Sequence, residues 1–252
     1  MNTKPIAVFD SGVGGISVLR ELVRLMPGEN YLYYGDSANA PYGNRTTQQV
    51  QALTLAAADM LVRRGIKALV VACNTATAAA IEELRRKYPD TIVVGIEPAL
   101  KVAVDHFPNG QIGIMATQVT LRENKLASQL ERFAQAQVEL IPAPGLVELV
   151  EDGKADSPEA EALLRELLTP YVGKLDALVL GCTHYPFACK AIARVLGTEV
   201  PLLDGGPGTA RQTKRCLEQA GLLYEGVGSV QIENSLQDPQ IIARAMTLLQ
   251  EE

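Results

Sequence analysis

Short apolar runs recur along this chain, each closed by a polar or glycine-rich turn and followed by a stretch with helical spacing. Runs that are apolar throughout, rather than alternating with polar residues, predict strands buried on both faces of a parallel sheet. Ile6-Ala7-Val8-Phe9-Asp10 predicts the first strand, and Ser11-Gly12-Val13-Gly14-Gly15 a turn feeding a helix from Ile16 to Met26. A strand from Tyr31 to Gly35 comes next. It ends in Asp36-Ser37-Ala38-Asn39-Ala40-Pro41-Tyr42-Gly43, a loop too rich in turn-forming residues to be a simple linker. Thr46-Thr47-Gln48-Gln49 has the spacing of a capping box and predicts the start of a helix to about Arg64. The run Leu69-Val70-Val71-Ala72-Cys73 predicts a third strand, followed by a helix to Tyr88 and a strand from Ile92 to Gly95.

After Glu97-Pro98 the pattern starts again. Ile112 to Thr117 takes the place of the first strand, and Thr120-Leu121-Arg122-Glu123 predicts the cap of the helix after it. Leu178-Val179-Leu180-Gly181-Cys182 repeats the Cys73 run 109 residues later, and the prefixes Gly65-Ile66-Lys67-Ala68 and Lys174-Leu175-Asp176-Ala177 match too. Asp10 precedes Cys73 by 63 residues and Ala116 precedes Cys182 by 66, so order and spacing read as a duplicated half. Ser157-Pro158 and Asp238-Pro239 predict helix starts with proline in the first position. Pro201 to Asp204 predicts a strand and Gly205 to Gly208 a hinge; a helix, a strand from Val230 to Ile232 and a last helix then return to the first lobe. The predicted architecture is α/β, two doubly wound parallel-sheet lobes related by an internal pseudo-twofold duplication. Residues 1–97 plus 208–252 form the first lobe and 98–207 the second, with the active site in the cleft between them.

Composition narrows the function. The 252 residues are 47% hydrophobic and 21% charged, enough for real cores without staples. A net charge of -6, with no basic cluster denser than Arg63-Arg64 or Arg85-Arg86-Lys87, argues against a nucleic-acid partner. No stretch approaches the roughly 20 apolar residues of a membrane span, and Met1 to Pro5 leads into a strand rather than a secretory signal. The expectation is a cytoplasmic protein with four reduced cysteines, of which Cys189 and Cys216 read as core thiols.

Candidate chemistry gathers at the carboxyl ends of strands, where open α/β sheets take ligands. Gly12-Val13-Gly14 with Asp36 further on suggests a dinucleotide fingerprint, but Ser17 stands where its third glycine belongs, and Asp10 would repel a pyrophosphate. No metal is expected, because the chain has only His106 and His184, and Cys182-Thr183-His184 supplies two ligands where zinc needs at least three. One cysteine at a strand end is ordinarily a small buried hydrophobe; two at matched ends reverse that reading. A thiol hydrolase needs one thiol and one base. Moving a proton from one face of a carbon to the other needs two similar bases, each beside an acid–base neighbour: Asp10 for Cys73, His184 for Cys182.

Five segments then occur in order over nearly the whole chain. They are Phe9-Asp10-Ser11-Gly12-Val13-Gly14-Gly15, Gly35-Asp36 with Pro41-Tyr42-Gly43, Ala72-Cys73-Asn74-Thr75-Ala76-Thr77, Leu149-Val150-Glu151 and Gly181-Cys182-Thr183-His184-Tyr185-Pro186. Together they resemble the cofactor-independent aspartate/glutamate racemase family, the glutamate racemases of peptidoglycan-making bacteria in particular. The resemblance implies a two-base 1,1-proton transfer at Cα that interconverts L- and D-glutamate without pyridoxal phosphate, flavin or metal. Cys73 would deprotonate the D isomer and Cys182 the L isomer, Asp10 and His184 would tune the thiols, and Glu151 would lie near His184. By the same resemblance the substrate is held by Asp10-Ser11, Tyr42-Gly43, Asn74-Thr75 and Thr183-His184, the product serves cell-wall synthesis, and the protein is a homodimer. One departure is visible: Ala143-Pro144-Gly145 stands where the family would show a Cys-Pro pair and an aromatic. Glu148 and Glu151 both follow Leu-Val, which leaves either as the auxiliary acid on sequence alone. Aspartate racemase, whose substrate is one methylene shorter, is the rival within the two-cysteine class.

Overall fold

The first apolar run becomes β1 (Ile6–Asp10), and all five of its residues are buried, as a strand covered on both faces requires. In the computed structural model it is followed by α1 (Ile16–Leu25), β2 (Asn30–Gly35), α2 (Thr47–Arg63), β3 (Ala68–Val71), α3 (Asn74–Lys87) and β4 (Ile92–Gly95). Next come α4 (Leu100–His106), β5 (Gln111–Ala116), α5 (Gln118–Arg122), α6 (Asn124–Arg132), β6 (Gln137–Pro142), α7 (Leu146–Glu151) and α8 (Pro158–Leu168). The order closes with β7 (Ala177–Leu180), α9 (Cys189–Leu196), β8 (Leu202–Asp204), α10 (Gly206–Gln219), β9 (Ser229–Asn234) and α11 (Pro239–Gln250). The structure describes residues 2–96, 99–122, 124–133 and 135–250, so Glu97-Pro98 and Glu123 lie outside it. No helix among the described residues is long and apolar enough to cross a membrane.

Contacts divide the chain into two units, Met1–Glu97 with Gly206–Glu252 and Pro98–Gly205. Each holds one parallel sheet, of order β4-β3-β1-β2-β9 in the first unit and β6-β5-β7-β8 in the second. The register shows how closely the second repeats the first. Ile6 pairs with Tyr31 and Ala68, and Ile112 pairs with Val138 and Ala177. At the carboxyl ends, the Ala72 N–H donates to Phe9 O and the Gly181 N–H to Met115 O, each at 2.8 Å. The Asp36 N–H likewise donates to Asp10 O, and the Ala143 N–H to Ala116 O. Hence β5, β6, β7 and β8 take the places of β1, β2, β3 and β4, and Cys182 stands where Cys73 stands. Among the described strands β9 alone has no counterpart. In this order the winding reverses between β1 and β3, and again between β5 and β7, so each cysteine lies just beyond a switch point where open sheets take ligands.

Apolar layers seal each sheet. Ala7, Phe9, Leu69 and Val71 pack with α2 and α3. In the second unit Met115, Ile141, Leu178 and Leu180 pack with α7, α8 and α9, while Ile112, Ile114, Ala177 and Val179 on the other face pack with α4 and Leu126 of α6.

Several local signals translate directly. Thr46 and Gln49 form the reciprocal capping box of α2, Ser157 Oγ caps α8, and Asp238 Oδ1 accepts from the Gln240 N–H at the start of α11. Others are corrected. The cap expected at Thr120 is supplied three residues earlier by Thr117, whose Oγ1 accepts the Thr120 N–H, because β5 already ends at Ala116. Gly206-Pro207-Gly208, expected in a hinge, forms the first turn of α10, where a proline lacking an N–H costs nothing. Cys189 and Cys216 are half-buried rather than core thiols. The apolar pattern does not predict β6: it is an edge strand whose residues are mostly exposed, so no apolar run announces it.

A buried ion pair closes the amino-terminal ends of the first sheet. Lys67 Nζ lies 2.5 Å from Glu29 Oε2, with both side chains essentially inaccessible. Nζ also donates to Leu222 O, and Glu29 Oε1 accepts the Tyr224 N–H, so the pair staples the entries of β2 and β3 to the segment before β9. Removing one member leaves a bare buried charge. Lys67→Met should therefore lower unfolding stability by about 3–5 kcal/mol, and adding Glu29→Gln should recover part of it, as read by urea titration.

Candidate active site

In the first unit β1 delivers Asp10 fully buried to the end of its strand. Its Oδ1 accepts the Gly12 N–H at 2.9 Å, and a Cβ on Gly15 would stand 2.5 Å from Asp10 Cβ. The glycine turn thus wraps the strand-end carboxylate. Asp36, at the end of β2, is occupied as well: Tyr42 Oη donates to its Oδ2 at 2.7 Å, and Asn39 Nδ2 lies 3.1 Å from both oxygens. Neither observation suits the dinucleotide reading. Burial, and then the bond to Asp36, hold the Tyr42 proton well above the usual phenol range, with further contributions from the charges of Cys73 and Asp10. Tyr42 is therefore within electrostatic reach of both. Gly43 follows it in the 3-10 turn Tyr42–Asn44.

Cys73 caps α3. Its Sγ accepts the Ala76 N–H at 3.4 Å and lies 3.6 Å from Ser11 Oγ, and a helix amino terminus favours the thiolate form of such a sulfur. Asn74 and Thr75 occupy the buried first turn of the same helix. Among the described residues the buried Asn74 Oδ1 meets no hydrogen-bond donor, which costs about 1–3 kcal/mol unless a ligand brings one. β1 and β3 are bonded neighbours, so Asp10, Ser11, Cys73, Asn74 and Thr75 come together, with Tyr42 and Gly43 carried by the β2 loop.

The second unit builds a different environment around its thiol. Ala116 holds the position of Asp10, so no carboxylate ends β5. Instead His184, two residues after Cys182, lies buried with Nδ1 3.7 Å from Sγ. Its Nε2 is 2.7 Å from Glu151 Oε1 at the end of α7. Glu148, one turn earlier, is exposed, so Glu151 is the acid that meets the histidine. Gly145, with φ +87, takes the left-handed turn that starts α7. Burial opposes charge on His184, but hydrogen bonds to Cys182 and Glu151 outweigh it and hold the imidazolium well above its ordinary range. Sulfur, imidazole and carboxylate stand in line, from the buried thiol through the buried ring to a carboxylate that is partly open to solvent. Thr183 is buried beside them. The sequence alone suggests Asp36 only as a nucleotide ligand and does not single out Asn39; a carboxylate ending β2 at a turn-rich loop is the available signal.

The chain matches a family model described as Asp/Glu/Hydantoin racemase over residues 6–213. It is 48% identical over 252 residues to the glutamate racemase of Clostridium kluyveri, covering 98% of each chain. Solved structures agree. An Escherichia coli glutamate racemase in complex with L-glutamate and the activator UDP-MurNAc-Ala superposes with a TM-score of 0.87 at 31% identity, over 98% of this chain and 94% of that one. A Francisella tularensis glutamate racemase in complex with D-glutamate does so with a TM-score of 0.86 at 27% identity, over 100% and 96%.

The raised affinity of His184 for its proton fixes the sign of a pH effect. Its stabilising contribution is complete below the unfolded value of about 6.5 and is lost as pH rises through the higher folded value. NMR titration should find His184 still protonated above the ordinary histidine range. Glu151→Gln should lower that transition, and the stability gap between the two proteins should narrow as pH rises through it.

Proposed function

The chain belongs to the Asp/Glu/hydantoin racemase family and is an amino-acid racemase. From that premise we propose that it interconverts L- and D-glutamate by two-cysteine proton transfer, as a cytoplasmic homodimer supplying D-glutamate for peptidoglycan synthesis. The observation that carries the chemistry is the repeated register, which sets Cys73 and Cys182 two residues past equivalent strands. Relatives crystallised with each glutamate enantiomer support the choice of substrate.

In the direction from D-glutamate, the Cys73 thiolate takes the Cα proton and the Cys182 thiol delivers its own to the opposite face. The enzyme is then left with Cys73 protonated and Cys182 as thiolate, the form that accepts L-glutamate. Asp10 serves the first thiol, and the His184–Glu151 pair holds and returns the proton of the second. The unpartnered Asn74 Oδ1 is an acceptor for the substrate ammonium, with Ser11, Tyr42, Gly43, Thr75 and Thr183 completing the substrate contacts. Each step moves only a proton, so no oxidant or reductant takes part.

Cys73→Ser and Cys182→Ser should each lower racemisation by about 10²–10⁴-fold, the usual worth of a positioned acid or base. Each should still eliminate a β-leaving group from one enantiomer of a glutamate analogue, Cys182→Ser from the D-like form and Cys73→Ser from the L-like form. Cys189→Ala and Cys216→Ala should stay within about twofold of wild type. Near-normal racemisation by either active-site variant would overturn the two-thiol assignment.

The roles of Asp10 and His184 separate in isotope effects rather than in efficiencies. The enantiomers have equal free energy, so kcat/KM must fall equally in both directions in any variant. His184→Asn should make the Cys182 step limiting, raising the Cα-deuterium effect from L-glutamate and shrinking it from D-glutamate; Asp10→Asn should do the reverse. Identical effects from both enantiomers would mean that these side chains only bind substrate.

A further inference from the structure

We propose that β9 and the turn after it form a built-in clamp on the loop 36–46, with Asn234 and Ser235 as positioning residues for the substrate contacts at Tyr42 and Gly43. β9 is the strand that the second unit lacks; there β6, in the place of β2, forms the sheet edge. The connections leaving these two strands differ in the same way. After β6 the chain needs only Ala143-Pro144-Gly145 to reach α7, whereas after β2 it runs through residues 36–46 and two 3-10 turns before α2 begins. The backbone bonds within that loop span three residues each, such as Asn39 N–H to Asp36 O and Arg45 N–H to Tyr42 O. Bonds of that reach shape single turns but do not fix the loop as a whole.

β9 supplies the missing hold. It pairs with β2 along its full length, from Ser229 opposite Asn30 to Asn234 opposite Gly35, and so ends where the loop begins. There the Ser235 N–H donates to Gly35 O at 2.9 Å, Asn234 Nδ2 donates to Ser37 Oγ at 2.6 Å, and the Ala38 N–H donates to Ser235 Oγ at 2.9 Å. Asn234 is itself fixed, because its Oδ1 accepts the Leu236 N–H and its backbone carbonyl the Gln237 N–H. One end of its amide closes its own turn and the other grips the loop. The hold then passes inward: Asn39 bonds Asp36, Asp36 accepts the Tyr42 hydroxyl, and Arg45 Nε ties back to Asn39 O. Tyr42, at the end of that chain, is buried in the same side-chain cluster as Cys73 and packs against Phe9, the neighbour of Asp10.

This inference rests on the proposal that Tyr42 and Gly43 touch substrate, and the test separates the two. Ser235→Ala should raise KM for both glutamate enantiomers about fivefold, the worth of one hydrogen bond, with kcat little changed, and Ser235→Thr should restore it. Hydrogen exchange should quicken over residues 36–46 in Ser235→Ala while the amides of β1, β3 and the second unit stay protected. Glu233→Gln is the control, since Glu233 on the same strand bonds Arg64 and Gln231 and none of the loop residues 36–46; it should leave KM and loop exchange alone. Unchanged KM and loop exchange in Ser235→Ala, or faster exchange spread evenly over the first unit, would overturn the clamp. If loop exchange quickened in Ser235→Ala while KM stayed unchanged, the clamp would stand and the substrate contact at Tyr42 and Gly43 would be the failing part.

Discussion

Parallel pairing is the constraint on which the rest depends. When every strand of a sheet runs the same way, every carboxyl end falls on one edge, and residues distant in sequence become neighbours there. Asp10, Asp36 and Cys73 meet because β1, β2 and β3 end together, and the same rule gathers Ala116, Ala143 and Cys182 at the ends of β5, β6 and β7. The opposite edge of the first sheet carries the Lys67–Glu29 pair. Reactive groups and structural staple therefore occupy opposite ends of the same strands, and a substitution at one has little route to the other.

The duplication is faithful in backbone and free in side chains. The Ala72–Phe9 and Gly181–Met115 bonds have the same length, yet the groups beside the two sulfurs differ in kind. Cys73 sits on a helix amino terminus near a fully buried carboxylate, while Cys182 has a histidine backed by Glu151. Two thiols of equal intrinsic acidity thus meet unlike fields, one made by a helix dipole and a strand-end acid, the other by a charged hydrogen-bond line. The proposed 1,1-proton transfer would start from one sulfur charged and the other protonated, and unlike surroundings would let that imbalance be set separately at each.

What is legible in the sequence is what is local or periodic. The buried strands read as apolar runs, the α2 capping box reads from four residues, and the matched cysteines read from their repeat. Contacts between distant segments do not read. Glu151 meets His184 across 33 positions, and Asn234 meets Ser37 across 197; neither spacing carries a period, so Glu151 rests on resemblance and Asn234 carries no signal at all. β6 is hidden for another reason: an edge strand exposes Glu139 and Leu140 and so lacks the apolar signature of the strands covered on both faces. Thr117 and Thr120 both precede a helical pattern, and only the end of β5 decides which hydroxyl is at the cap.

The return of the chain to its first unit has a consequence for how the protein is made. Unit one is discontinuous, and β9 is added only after all of Pro98–Gly205 has been synthesised. Domains tend to fold as units while the chain emerges, so the second unit is complete when the first still has β2 as a bare sheet edge. An unpaired edge invites association with other chains. The strand made after the second unit both covers that edge and brings Asn234 to the loop at Tyr42, so one late pairing closes the sheet and ties down the loop.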